Sequence, residues 1–271
     1  MGLGKIFMIF ETKDDFNLLK TAECGQCFRF NQTGRNTFRT IAFNRVLDMN
    51  QFDPTHIEFS CDEDEFESIW KDYFDIDTNY SDIRSKIKDD PFLYECSLYG
   101  KGLRILKQDI WETVISFIIS QRKSIPAIKT SVERLCELCG NQINDNCFAF
   151  PSPAQILSQD IDNLAACGLG YRLEYILEAS RIFDENPSLI PSLELLDDES
   201  LFNELKSIKG IGDKVASCIA LFGFHRLNFF PKDVWINRAL ADKYPSGFDI
   251  KLYEPFNGVI QQYIFYGYKN R

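Results

Sequence analysis

The sequence predicts an α+β protein, with an N-terminal antiparallel β-sheet domain followed by a mostly helical region that contains a helix-hairpin-helix. Short aromatic and β-branched runs separated by polar turns fill residues 1–61. From residue 100 onward, apolar residues recur almost everywhere at helical spacing. Near residues 199–222, two amphipathic segments flank a Gly-Ile-Gly turn. We therefore predict one domain at residues 1–98 and a second at residues 99–271.

The β-rich region contains five candidate strands. Their β-branched and aromatic residues suit a half-buried pleated surface, and polar turns such as residues 31–36 separate them. The predicted strands are residues 6–11, 27–31, 37–42, 45–49 and 56–60, with a short helix at 15–22.

The remaining elements are predicted to be helices. Apolar residues recur at helical spacing, and most of these segments start at Ser, Asp or Pro. The segment 111–120 is strongly apolar, which predicts a central position, and residues 141–145 read as a polar loop. The predicted helices are residues 65–70, 80–88, 111–120, 125–138, 151–157, 158–166, 173–184, 198–208 and 253–268.

The charge distribution permits binding to nucleic acid, although the formal net charge is −10. Residues 51–98 hold 14 acidic and 4 basic residues, whereas the remainder holds 26 of each. Residues 99–135 hold 7 bases and 3 acids, and residues 205–240 hold 6 bases and 2 acids. Local field, not net charge, steers a polyanion, so these two segments leave DNA open as a partner. The acidic run is interpreted as a solvated helix face.

The cysteines indicate reduced thiols in an intracellular protein, and the lack of a basic targeting run favours a prokaryotic cytoplasm. Their number, nine, is odd, and no signal peptide is recognised. Two Cys-x-x-Cys pairs, Cys24/Cys27 and Cys136/Cys139, leave a zinc site conceivable, but the second pair is spaced for core packing on a helix. No apolar run is long enough to span a membrane. We expect no metal, no cofactor and no membrane.

The turn at Gly210-Ile211-Gly212 joins two helices whose apolar faces can pack together. Glycine at both positions suits positive φ or close backbone approach. Asp213 is predicted to cap the second helix. Lys214 follows in its first turn, where the helix dipole disfavours an ammonium and so favours the neutral, nucleophilic amine. The residues of the two apolar faces are Leu201, Leu205, Ile208, Val215, Ile219 and Phe222.

The string LKSIKGIGDKVASCIA at residues 205–220, followed by Pro231-Lys232-Asp233, resembles the helix-hairpin-helix and Gly/Pro-Asp signature of the base-excision DNA glycosylase superfamily. The resemblance implies that Lys214 is the nucleophile and Asp233 its electrostatic partner. Breaking an N-glycosidic bond leaves an oxocarbenium-like sugar, which a carboxylate stabilises, and an amine can capture C1′ as a Schiff base.

Further segments resemble the 8-oxoguanine DNA glycosylase/lyase branch. Residues 24–29, Cys-Gly-Gln-Cys-Phe-Arg, place Gly25 where the branch uses a glycine carbonyl to accept a hydrogen bond from N7–H of the damaged base. Residues 257–265 place Gln261 at the position that reads the Watson–Crick edge and Phe265 at the position that stacks on the base. Cys218, one turn after Lys214, is expected to cover the other face. Taken alone, Cys218 and Phe265 could equally be core residues, and Gly25 a turn glycine.

The Gly-Leu-Gly-Tyr-Arg sequence at residues 168–172 resembles the branch's loop that enters the opposite strand. The resemblance implies that Tyr171 inserts there and that Arg172 contacts the orphaned base. Gly210 and Gly212 are expected to bind phosphate through backbone N–H groups. The hairpin carbonyls of family members can also hold a monovalent cation. Arg122 is a further DNA-contact candidate.

Three departures from the branch pattern concern DNA contacts. Animal and yeast-like members run Ser-Asn-Asn-Asn where this chain has Gln121-Arg122-Lys123-Ser124, and Ala127 replaces an Arg. We therefore expect a weaker preference for cytosine opposite the lesion. Trp235 replaces a His two residues after Asp233, which leaves a phosphate contact in doubt.

The predicted function is removal of 8-oxoguanine from duplex DNA by Lys214 attack, followed by β-elimination, without an obligate protein partner. Alternatives remain at this point: a lyase for other oxidised bases, an alkyl-base glycosylase, a non-catalytic helix-hairpin-helix module that binds DNA, or a helical scaffold. Alkyl-base enzymes lack the lysine, and a binding module would not need Lys214 and Asp233 together.

Overall fold

The computed structural model describes residues 6–269, so residues 1–5 and 270–271 of the two predicted domains lie outside the described part. The chain forms two compact units. The first comprises the chain up to Arg39, Leu47–Lys107 and the chain from His225 onward, and the second comprises Thr40–Val46 and Gln108–Phe224. This division differs from the predicted boundary at residues 98/99, because the C-terminal part of the chain returns to the first unit.

A five-stranded sheet lies near the N-terminus, in the order β1-β5-β4-β3-β2. β5 pairs antiparallel with both β1 and β4, and Phe59 stands opposite Met8 on one side and Met49 on the other. The predicted sheet is confirmed, although the second strand starts later than expected. The strands are β1 (Met8–Glu11), β2 (Phe30–Gln32), β3 (Thr37–Ala42), β4 (Arg45–Gln51) and β5 (His56–Phe59).

Helices make up most of the rest of the chain. Those of the first unit that precede Gln108 are α1 (Leu18–Glu23), α2 (Glu63–Glu65), α3 (Lys71–Tyr73), α4 (Tyr80–Ser85) and α5 (Pro91–Tyr99), with a π-helical turn, Phe66–Trp70, between α2 and α3. The second unit holds α6 (Ile110–Ser120), α7 (Ile125–Cys139), α8 (Pro153–Leu157), α9 (Ile161–Ala166), α10 (Arg172–Glu185), α11 (Leu189–Glu194), α12 (Asp198–Ser207) and α13 (Asp213–Phe222). The chain ends with α14 (Val234–Lys243), a 3₁₀ helix (Ile250–Tyr253) and α15 (Asn257–Lys269).

Aromatic rings fill the core of the first unit. The ring centroid of Phe59 lies 5.1 Å from that of Phe66 and 5.7 Å from that of Phe74. Trp70 is fully buried, and its Nε1 donates a hydrogen bond to Glu65 at 2.9 Å. Most Asp and Glu side chains of the acidic run at residues 51–98 are exposed, which confirms that these charges are solvated. Further along the chain, α15 packs against α5 and α14.

The second unit is built around α6. Every residue of this helix from Trp111 to Ile119 is buried, and α7, α10 and α13 pack around it. The Trp111 and Phe183 ring centroids lie 5.0 Å apart, and Phe117 stacks on Phe222 at 5.5 Å. The prediction of a central helix here is confirmed, because an element apolar on all sides must be buried on all sides.

Polar side chains account for two of the differences from the predicted elements. The predicted loop at 141–145 is wrong, since β6 (Gln142–Asn144) and β7 (Cys147–Phe148) form a hairpin whose turn has a hydrogen bond from Asn146 N to Asn144 Oδ1 at 3.2 Å. Helix α5 was not delimited within the stretch at residues 62–98 that was predicted to be helical and acidic, and α11 and α14 were not predicted. α5 follows the Asp90-Pro91 pair, a capping signal visible in the sequence, and Asp90 accepts from Leu93 N at 3.0 Å.

Candidate functional site

The helix-hairpin-helix consists of α12, α13 and the turn between them. Its predicted apolar residues are all buried, which confirms the two packed faces. Gly210 has φ +90°, and an added Cβ would lie 2.3 Å from the Tyr175 ring, so only glycine fits there. Gly212 differs, because its φ is −94° and an added Cβ would meet no atom within 4 Å. The open space beside Gly212 allows an outside group to approach the backbone closely.

The predicted capping role of Asp213 is wrong. The N-cap of α13 is Gly212, and Asp213 occupies the first helical position. Its carboxylate forms an ion pair with Lys206 Nζ at 2.6 Å instead, which links the two helices of the hairpin across the turn.

Lys214 lies in the first turn of α13 and is half-buried. Its Nζ is 5.0 Å from the centroid of the Phe117 ring. The amine therefore lies over an aromatic surface at the positive end of a helix dipole. Cys218 follows one turn later and is buried among the apolar residues of the helix, so packing alone also accounts for it.

Asp233 is the N-cap of α14. Its Oδ1 accepts a hydrogen bond from Ile236 N at 2.8 Å, which fixes the carboxylate at the start of the helix. Val234 and Trp235 beside it are exposed, and the Arg238 guanidinium lies 5.4 Å from the centre of the Trp235 ring. The first two turns of this helix thus present a carboxylate, an indole and a guanidinium.

Gly25 lies in a turn after α1 with φ +79°, a conformation that favours glycine. The next side chain, Gln26, is fully buried and holds this turn in place. Its Nε2 donates to Arg104 O at 2.7 Å and its Oε1 accepts from Leu106 N at 2.8 Å. Burial also raises the pKa of the adjacent Cys24 thiol to about 12. No local sequence signal identifies Gln26 as a supporting residue, because its partners are about 80 positions away.

Gln261 and Phe265 lie one turn apart on α15, in the same compact unit as Gly25 and Asp233. Both are buried, with 3% and 9% of their surface exposed. Gln261 Oε1 accepts a hydrogen bond from Gln262 Nε2 at 2.8 Å, and Lys269 Nζ lies 5.2 Å from the Phe265 ring centroid.

The loop at 168–172 presents Tyr171 to solvent, with 52% of its surface exposed. Positive φ angles at Gly168 and Gly170 shape this loop. Arg172 differs from the expectation, because it is only 6% exposed and its guanidinium donates hydrogen bonds to the carbonyls of Gln121 and Leu169. The guanidinium also lies 4.4 Å from the Tyr171 ring centre, so Arg172 supports Tyr171 from within the protein.

Arg122 is exposed at the turn that follows α6 and has φ +52°. The side chains of the residues on either side of Arg122 form hydrogen bonds to other parts of the second unit. Gln121 Nε2 donates to Gly210 O of the hairpin at 3.0 Å, and Lys123 Nζ donates to Gly168 O at 2.6 Å. Burial and the nearby Arg172 lower the pKa of Lys123. The residues that depart from the branch pattern thus link the hairpin, the turn and the Tyr171 loop.

All nine cysteines are buried, as core packing predicts for Cys136 and Cys139. Within residues 6–269, no cluster of three His, Cys, Asp or Glu side chains has the arrangement of a metal site. None of the helices in this range is both long and apolar enough to cross a bilayer.

Similarity to known protein families extends over nearly the whole chain. Residues 8–114 match the family model for the N-terminal domain of 8-oxoguanine DNA glycosylase, and residues 115–247 match that of the HhH-GPD superfamily of base excision DNA repair proteins. Curated relatives include a "Probable N-glycosylase/DNA lyase" of Methanothermobacter thermautotrophicus, 33% identical over 64% of this chain, and the N-glycosylase/DNA lyase of Saccharomyces cerevisiae, 32% identical over 54%. These alignments span 62% and 43% of the relatives' own lengths, less than two thirds in each case.

Solved structures give fuller coverage. The structure of MBOgg1 in complex with a low-affinity DNA ligand has a TM-score of 0.92 and 33% identity, over 100% of this chain and 97% of that one. The Clostridium acetobutylicum 8-oxoguanine glycosylase/lyase, in complex with duplex DNA containing cytosine opposite 8-oxoguanine, has a TM-score of 0.87 and 29% identity, over 97% and 98%. The chain therefore belongs to the 8-oxoguanine DNA glycosylase family, within the HhH-GPD superfamily of base excision DNA repair proteins.

Proposed function

We propose that this protein excises 8-oxoguanine from duplex DNA and then cuts the strand at the resulting site. The observation that carries the proposal is the position of Lys214, in the first turn of α13 directly after the hairpin, with its amine over the Phe117 ring. A relative 29% identical along almost the entire chain is a glycosylase/lyase solved with 8-oxoguanine opposite cytosine.

In the proposed reaction, the Lys214 amine attacks C1′ of the damaged nucleotide. The bond from C1′ to the base breaks, its electron pair leaves with the base, and the base takes up a proton. The Asp233 carboxylate stabilises the positive charge that develops on the sugar. Loss of the amine proton and opening of the sugar ring then give a Schiff base. Removal of a C2′ proton expels the 3′ phosphate by β-elimination, which cuts the strand.

The damaged base must leave the duplex before this attack. We assign the Gly25 carbonyl to N7–H, Gln261 to the Watson–Crick edge, and Phe265 and Cys218 to the two faces of the base. Tyr171 is assigned to the gap in the duplex, supported by Arg172. Arg122 and the backbone at Gly210 and Gly212 are assigned to the DNA strands. The expected location is the compartment that holds the DNA, which in a prokaryote is the cytoplasm.

Borohydride trapping tests the proposal. A duplex with 8-oxoguanine opposite cytosine is incubated with wild type, Lys214→Gln and Lys251→Gln, an exposed lysine in the 3₁₀ helix that serves as the matched control. We expect a covalent adduct with wild type and the control, and none with Lys214→Gln. Tight lesion binding without an adduct or base release in wild type would instead indicate a recognition module. A panel of other oxidised bases in the same assay decides whether 8-oxoguanine is the preferred substrate.

A further inference from the structure

Two neighbouring glutamines on α15 form a buried pair. Gln261 and Gln262 are 3% and 4% exposed, and Gln262 Nε2 donates to Gln261 Oε1 at 2.8 Å. The carbonyl oxygen of the donating residue, Gln262 Oε1, is buried without a hydrogen-bond partner among the described residues. A buried carbonyl oxygen left without a donor is disfavoured, so such an atom calls for an explanation.

The hydrogen bond from Gln262 determines how Gln261 presents its amide. Because Gln261 Oε1 already accepts from Gln262, the orientation of the Gln261 amide is set, and its Nε2 remains available as a donor. Gln262 Oε1 belongs to the same planar carboxamide as the nitrogen that contacts Gln261, so it lies beside the Gln261 amide. With this bond formed, Gln261 Nε2 can still donate, and both Gln262 Oε1 and the second lone pair of Gln261 Oε1 can still accept.

This pattern complements one particular base edge. The Watson–Crick edge of a guanine-type base presents the acceptor O6 and the donors N1–H and N2–H₂. Gln261 Nε2 can donate a hydrogen bond to O6, and Gln261 Oε1 can accept one from N1–H. The 2-amino group then still requires an acceptor. An adenine-type edge presents a donor and an acceptor in the reverse order and has no 2-amino group. The orphaned oxygen is therefore the acceptor that a 2-amino group would require.

We propose that Gln262 is a specificity-determining residue for the excision reaction: its Oε1 accepts a hydrogen bond from the 2-amino group of the extruded base, and its Nε2 fixes the amide of Gln261. The proposal rests on the proposed function. It assigns to Gln262 a contact that Gln261 does not make, because Gln262 Nε2 already occupies one lone pair of Gln261 Oε1 and the other is used for N1–H.

The test compares two lesions that differ in one group. Single-turnover excision rates are measured on duplexes with 8-oxoguanine or 8-oxohypoxanthine, which lacks the 2-amino group, each opposite cytosine. The variants are Gln262→Met, which keeps the size and removes the acceptor, and Gln262→Glu, which keeps an acceptor but cannot donate to Gln261. Gln142→Met, on the exposed β6 strand, is the control for the same substitution.

We expect the wild-type rate ratio, 8-oxoguanine over 8-oxohypoxanthine, to fall about tenfold in Gln262→Met, the value of one neutral hydrogen bond. Gln262→Glu is expected to keep the ratio while excising both lesions more slowly, and Gln142→Met to match wild type. An unchanged rate ratio in Gln262→Met would overturn the proposal. A wild-type enzyme that excises both lesions at the same rate would also overturn it, and this measurement does not depend on the folding of the variants. A wild type that leaves both lesions intact would instead contradict the proposed function.

Discussion

The two compact units carry different kinds of proposed site residue. In the first unit, Gln26, Gln261 and Phe265 are buried, and hydrogen bonds fix both glutamines before any ligand arrives. In the second unit, Tyr171 and Arg122 are exposed, and the space beside Gly212 is open. Groups that discriminate bases need fixed, desolvated polar atoms, whereas groups that contact a duplex must be accessible from outside. Substitutions at these positions in the first unit should therefore affect excision of the base, and those at these positions in the second unit should affect binding to the duplex.

Asp233→Asn should have the largest effect. Asparagine caps a helix as well as aspartate, so the free energy of unfolding should change by less than about 0.5 kcal/mol. Loss of the negative charge should slow single-turnover excision by about 10²–10³-fold. Asp62→Asn is the control, because Asp62 also caps a helix, accepting from Glu65 N at 2.8 Å. An Asp233→Asn enzyme as fast as wild type would remove Asp233 from the mechanism.

The two hairpin glycines should separate stability from DNA binding. Gly210→Ala should cost about 2–4 kcal/mol of stability, because φ is +90° and the new methyl would overlap the Tyr175 ring. Gly212→Ala should leave thermal stability near that of wild type but weaken binding to duplex DNA, since its methyl would occupy the open space beside the backbone. Thermal melting and fluorescence anisotropy measure the two effects. Equal DNA affinity in Gly212→Ala and wild type would argue against phosphate binding at this turn.

Alkaline pH should destabilise the turn that contains Gly25. Burial raises the pKa of the Cys24 thiol from 9.0 to about 12, so the folded protein keeps its proton over a range in which the unfolded chain loses it. The stability that this thiol contributes is complete below pH 9 and lost as the pH rises towards 12. Between about pH 8 and 11, wild type should lose about 2–3 kcal/mol more than Cys24→Ala. Urea titrations under reducing conditions at each pH measure the free energy of unfolding. An equal loss in wild type and Cys24→Ala would contradict the prediction.

The smallest effect expected concerns the base opposite the lesion. The chain lacks the Asn run and the Arg of animal and yeast-like members, and Arg172 binds the Gln121 carbonyl. We expect excision opposite cytosine and opposite adenine to differ less than in a member that carries the Asn run. The two enzymes are assayed side by side on the four opposite bases. Discrimination of equal steepness would show that other residues read the opposite base.

Local patterns were sufficient to predict the sheet, the central helix α6 and the hairpin, because each depends on residues close together in sequence. The position of Lys214 in the first turn of a helix follows from such signals too, whereas the N-cap position of Asp233 was not predicted, because α14 itself was missed. The support of Gly25 by Gln26 depends on partners 78 and 80 residues away, and no local signal reveals them. The burial of Arg172 depends on Gln121, which lies 51 positions earlier. A resemblance assigns a role to a position, but only the folded chain shows its partners.

The central claim, that the Lys214 amine is the nucleophile, is tested most directly by locating the covalent bond. The borohydride-trapped adduct of the wild-type protein would be digested with trypsin and nuclease and analysed by tandem mass spectrometry. We predict a deoxyribose remnant on Lys214, in a peptide spanning residues 210–226 with cleavage blocked at that lysine. A remnant on any other amine would contradict the account.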